Sequence, residues 1–192
     1  MPRPRLLKSQ DIYQLKIALK HIKPPIWRRI QVADDTTLGD LHYIVQAVMG
    51  WENDHLHVFQ VGKIEYATVD GDQAVTSIEV KDEWEAQVGK VPLAVGSKIL
   101  YEYDFGDGWK HDIVVERIIA AEEGKHCPVC LAGARACPPE DCGGPYRYAN
   151  FVIAIRDPKH PDYHDWREWF DGGFDPEAFD LEAINKRLGP GS

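Results

Sequence analysis

Tyr13, Leu15, Ile17 and Leu19 alternate with Gln14, Lys16, Ala18 and Lys20. Period two with one polar face predicts a half-buried strand of an antiparallel sheet. Pro24 and Pro25 turn the chain, and Ile26–Val32 reads as the returning strand. Thr37 then caps a helix, with Asp40 near its positive end. Leu38, Leu41, Ile44, Val45 and Val48 form its apolar stripe, and Gly50 stops it. A strand follows at 55–61, so the opening is strand–strand–helix–strand, a β-grasp-like start. Residues 70–97 are acidic and weakly patterned, a loop with one short strand at most. Order returns at 98–119, where FGDGW supplies the turn of a β-hairpin. Three helical stretches close the chain: 148–156, 162–170, and a last one capped by Asp175 with Pro176 in its first turn, running to about Leu188. The expected class is α+β with a mainly antiparallel sheet and a C-terminal helical part.

The length, 192 residues, suits one domain. Its sub-parts are a sheet-plus-helix core at 10–122, a Cys-rich loop at 123–147 and helices at 148–188. A hydrophobic share of 44% with 28% charged residues excludes a disordered chain. No apolar run could span a bilayer and no signal peptide opens the chain, so a cytoplasmic location and no membrane partner are expected.

All four cysteines fall within sixteen residues, as C-x2-C-x6-C-x4-C: Cys127, Cys130, Cys137 and Cys142. Disulfides are rare in the cytoplasm, so the cluster is read first as metal ligands. Four thiolates can close a tetrahedron around structural zinc and tie down a loop with little apolar material. The second pair lacks the usual two-residue gap; an Fe–S cluster, a redox pair and free thiols stay open. His57 or His111 is an alternative fourth ligand in place of Cys127, as is His55, which shares a strand face with His57.

Asp104-Phe105-Gly106 lacks the other elements of a kinase and is read as a turn, with Asp107. Convergence of Asp104, Asp107, His57 and His111 would make a hydrolytic metal site. The expectation leans away from an enzyme. The net charge of −9 is uneven: residues 1–31 carry eight Lys/Arg against one acid, +7, which leaves −16 for the rest. A basic edge on an acidic body suits an acidic partner or only keeps a strand soluble; nucleic acid is possible but disfavoured by the acidic bulk. Glu140 and Asp141 are read as turn residues that pair with Arg135 or Arg147.

YEYDFGDGWKH (101–111), CLAGARACPPEDCGGPYRY (130–148) and FDPEAFDLEAIN (174–185) resemble the plasmid pRiA4b ORF-3-like family, also met as a transposon passenger. The resemblance spans Ile12 to Leu188 and implies a compact α+β domain of bacterial or archaeal origin, associated with mobile elements and of unestablished activity. Cys130, Cys137 and Cys142 lie within the resembling motifs and Cys127 just outside them. The function expected is therefore a non-enzymatic interaction module with a zinc-tied loop, binding a protein partner or small ligand; the alternative is a metal-dependent hydrolase or nucleic-acid-processing accessory.

Overall fold

A computed structural model describes residues 11–68, 79–122, 126–169 and 173–189. Its centre is one eight-stranded sheet: β1 (Asp11–Leu19), β2 (Trp27–Ala33), β3 (His57–Val61), β4 (Ile64–Ala67), β5 (Glu79–Asp82), β6 (Lys98–Tyr103), β7 (Trp109–Ala120) and β8 (Val129–Ala134). The strands lie in the order β5-β4-β3-β6-β7-β1-β2-β8. Every neighbouring pair is antiparallel except β4 with β5. The elements of the opening come in the expected order. β3, however, pairs with β6, two strands away from the β1–β2 hairpin, and β1 takes β7 as its other neighbour.

Alternation along β1, β2, β6 and β7 turns one face inward. Leu15, Ile17, Ile30, Val32, Ile99, Tyr101, Tyr103, Trp109 and Ile113 are buried there. Helix α1 (Leu38–Met49) contributes Leu38, Leu41, Val45 and Val48 to the same core. Burial of such large aliphatic and aromatic side chains is the main stabilising term of the fold, each contributing about 1.5–3 kcal/mol. Thr37 and Asp40 form a capping box at the N-terminus of α1, and Gly50 ends it in the left-handed conformation.

Helix α2 (Gly144–Ala154) touches α3 (Tyr163–Trp169), while α4 (Leu181–Leu188) packs on both α1 and β8. Two expectations change. VCLAGA, read as loop, forms β8 beside β2. The last helix begins at Leu181 behind Asp180, whose side chain accepts the Ala183 N–H; Asp175 instead accepts the Glu177 N–H in a turn. Asn185 on α4 reaches β8: its Oδ1 accepts the Cys130 N–H at 2.8 Å and its Nδ2 donates to the Cys130 carbonyl at 3.0 Å.

Within the described part of the basic opening, Arg28, Arg29 and Lys20 are held by the fold. Arg28 is buried and donates to the carbonyls of Val48, Trp27 and Ala134. Arg29 forms a two-point pair with Glu116, and Lys20 faces Asp112. Arg3, Arg5 and Lys8 lie outside the described residues.

Candidate functional site

Polar chemistry gathers where the N-terminal end of β3, the β6–β7 turn and the loop before α2 meet. The β6–β7 turn is built by Asp104, whose Oδ1 accepts the N–H groups of Gly106 and Asp107. This is the turn geometry the FGDG sequence predicts. Asp104 N–H donates to the Leu56 carbonyl, which sets His55 beside the turn. Asp107 points the other way: its Oδ2 accepts the Gly143 N–H at 2.8 Å and seats the loop before α2 on the turn.

That seating brings Glu140 and Asp141 to His55. His55 Nε2 stands 3.1 Å from Asp141 Oδ1, 3.8 Å from Asp104 Oδ2 and 4.0 Å from Glu140 Oε2. Glu140 Oε1 accepts from the Tyr103 hydroxyl and the Glu52 N–H. Burial pushes the Glu140 carboxyl above the usual carboxylate range, and those two bonds pull it part of the way back.

Beside this cluster runs a cleft of about 330 Å³ lined by residues that include His42, Asn53, Asp54, His55, His57 and Glu83. His57 and His42 stack with ring centroids 3.5 Å apart. His57 Nε2 meets Glu83 Oε2 at 2.8 Å, and the Thr68 hydroxyl donates to Glu83 Oε1 at 2.7 Å. Burial would raise Glu83, but these two hydrogen bonds outweigh it and hold the carboxyl below its ordinary value. His42 bridges Tyr101 OH and Asn53 Oδ1. Since Asn53 Oδ1 only accepts, His42 carries its proton on Nε2. Burial, then the neighbouring His57, brings its pKa down to about 4, so the ring is neutral at pH 7.

Asp104, Asp107, His57 and His111 therefore do not share one site. Asp104 joins His55, Asp107 holds the loop and His57 pairs with Glu83. His111 is fully buried against Trp51 and Tyr101, with burial lowering its pKa to about 4.

The four thiols form no disulfide. Among the described residues, the set of three ligand atoms within 4.8 Å of one another is His55, Asp104 and Asp141; no three thiols form such a set, and neither His57 nor His111 completes one with them. Cys130 and Cys142 are buried, and burial raises every thiol, that of Cys142 to about 12. Arg135 binds Glu177 and Arg147 lies over the Trp166 ring, so neither takes the expected partnership with Glu140 or Asp141.

The sequence offers His55 only as one of three histidines that could replace Cys127 as a ligand, and Glu140 and Asp141 only as turn formers paired with arginine. The one signal for them was the acid-bearing runs DFGD and PPED in two separated turns.

A model of the plasmid pRiA4b ORF-3-like protein family matches residues 11–183. The uncharacterised protein y4hQ of Sinorhizobium fredii is 34% identical over 179 residues, covering 93% of this chain and 91% of that protein. The crystal structure of MM3350, a protein of unknown function from Methanosarcina mazei Go1, superposes with a TM-score of 0.83 at 35% identity, covering 91% of this chain and 98% of that one. With the family model matched over nearly the whole chain, the protein belongs to the plasmid pRiA4b ORF-3-like family.

Proposed function

We propose that the protein is an interaction module whose cleft captures a cationic side chain, lysine or arginine, presented by a partner chain. The observation that supports this reading is the composition of the cleft rim. Trp84 is 44% exposed and Tyr43 52% exposed, with their ring centroids 6.1 Å apart. Leu56, at 74%, stands beside them. Exposed Asp54 and buried Glu83 line the same cleft, and no Lys or Arg is among its described lining residues. Exposed aromatic faces next to carboxylates attract a cation through the ring quadrupole and through charge together. The same surroundings repel a phosphate backbone.

The rim is also held in place before any ligand arrives. Trp84 lies flat against Gly39, where an added Cβ would come within 2.7 Å of the indole. Its backbone N–H is bonded to Asp82 Oδ1. A fixed aromatic face loses little conformational freedom on binding, which favours recognition.

The test uses a fluorescently labelled oligolysine peptide and an oligoglutamate control, followed by anisotropy at low salt. Oligolysine is expected to bind and oligoglutamate to stay free. Trp84→Ala should weaken oligolysine binding by about tenfold, in line with loss of a desolvated cation–π contact. Equal affinity of Trp84→Ala and the unaltered protein would reduce the interaction to bulk charge and end this reading.

A further inference from the structure

We propose that His55, Asp104 and Asp141, with Glu140 beside them, form a binding site for one divalent transition-metal ion. This site is separate from the cysteine cluster and does not depend on what the neighbouring cleft binds.

The argument starts from polar atoms without partners. His55 Nε2 is buried and makes no hydrogen bond, although three carboxylate oxygens stand within 4.0 Å of it. Glu140 Oε2 is likewise buried and without a hydrogen-bond partner. Asp104 exposes only 9% of its side chain, and its two hydrogen bonds both fall on Oδ1, which leaves Oδ2 turned toward His55. Buried polar atoms are normally satisfied, and leaving one without a partner costs about 1–3 kcal/mol. Here Asp104 and Glu140 each use one oxygen to hold the backbone or Tyr103, and their other oxygens stand 3.8 and 4.0 Å from His55 Nε2. An imidazolium–carboxylate pair would instead place the His55 N–H along a hydrogen bond to one oxygen. Asp141 Oδ1 is close enough at 3.1 Å, yet that bond is not formed.

An ion explains the arrangement. Ligand atoms bonded at about 2.0–2.2 Å to a shared ion stand roughly 3–3.6 Å apart. The separations of 3.1, 3.8 and 4.0 Å around His55 Nε2 need only a small contraction to reach that range. One imidazole with carboxylates suits Mn²⁺ or Zn²⁺, whereas Ca²⁺ and Mg²⁺ prefer oxygen alone. Asp141 is largely exposed and lies on the route by which an ion would enter. The site also accounts for the seating of the loop before α2 on the β6–β7 turn, since Asp107 and Gly143 bring Asp141 within reach of Asp104.

The experiment titrates chelator-stripped protein with MnCl₂ and with ZnCl₂ by calorimetry. One ion per chain is expected for at least one of the two. Asp104→Asn and His55→Ala should each weaken it by at least about tenfold, while Cys130→Ser leaves it unchanged. Asparagine at 104 keeps the oxygen that accepts the Gly106 and Asp107 N–H groups, so the turn survives; circular dichroism confirms the fold, and His55→Ala supplies an independent variant outside the turn. Co²⁺ substitution adds a spectroscopic readout: nitrogen and oxygen ligands give d–d bands without the thiolate-to-metal charge transfer of a cysteine site. The proposal is overturned by the absence of binding for both ions at millimolar concentration. It is equally overturned by binding that tolerates Asp104→Asn and His55→Ala, or by charge-transfer absorption that disappears in Cys130→Ser.

Discussion

Gly144→Ala tests how the loop before α2 is held. Gly144 opens α2 with φ of +79°, and an added Cβ would fall 2.4 Å from the Asp107 carbonyl oxygen. Comfortable contact needs about 3.5 Å, so the loop must retreat by about 1 Å from the β6–β7 turn. The obstacle is backbone, which has no rotamer to escape into. Two costs combine. A left-handed conformation for a residue with a side chain costs about 1–2 kcal/mol. The retreat breaks the Gly143 N–H bond to Asp107 Oδ2, a hydrogen bond to a charged group that contributes about 1.5–3 kcal/mol. Partial relaxation returns some of this, and the helix propensity of alanine offsets little at a first-turn position. A loss of about 3 kcal/mol is expected, a large fraction of the 5–15 kcal/mol typical of a domain. For a chain of this length that corresponds to a fall in Tm of about 6–12 °C. Urea unfolding followed by far-ultraviolet circular dichroism gives the free energy directly, and an unchanged m-value shows that the unfolded state is not the cause. Asp107→Asn keeps an acceptor oxygen and should lose only about 1 kcal/mol. If Gly144→Ala costs less than about 1 kcal/mol, the loop is not seated on the turn as described, and the position of Asp141 falls with it.

Two further outcomes follow from charge and burial. The Arg29 hydrogen bonds hold the Glu116 carboxyl down to about 2 despite its partial burial, against 4.5 ordinarily, so its stabilisation is present above pH 4.5 and is lost as pH falls toward 2. After allowance for solvent screening this amounts to about 1–2 kcal/mol, and Glu116→Gln should flatten the acid limb of a stability–pH curve; identical curves would remove the pair as a stabilising element. Raised thiols predict slow alkylation: at pH 8 iodoacetamide should modify Cys142 in the folded protein far more slowly than in denaturant, because burial pushes its pKa up to about 12. Reaction of native Cys142 at the rate of a free thiol would contradict its packing.

The parts of the fold legible in the sequence are those specified by local rules. Thr37, Asp40 and Gly50 mark both ends of α1, and FGDG marks the hairpin. β8 escaped because VCLAGA mixes small residues with a glycine and has no clean alternation; its pairing with β2 is decided by tertiary context rather than propensity. The start of α4 was misplaced because Asp175-Pro176 carries the same cap chemistry as Asp180, and only packing distinguishes a turn from a helix. The His55 cluster was illegible for a different reason. Its members lie in three loops separated by about fifty and forty residues, joined by the Asp104–Leu56 and Gly143–Asp107 bonds, and such joins leave no spacing to read. The cysteines show the converse: close spacing suggests one centre, and among the described residues no three thiols lie within 4.8 Å of one another.

Asn185 gives the sheet a way to stop growing. Its amide presents one acceptor and one donor to Cys130 at 2.8 and 3.0 Å, the same pair that a ninth strand would offer. An incoming chain would find both main-chain groups of that residue already engaged, so polymerisation through this margin must first displace the side chain. A single helix residue thereby protects the molecule from templating its own copies along β8.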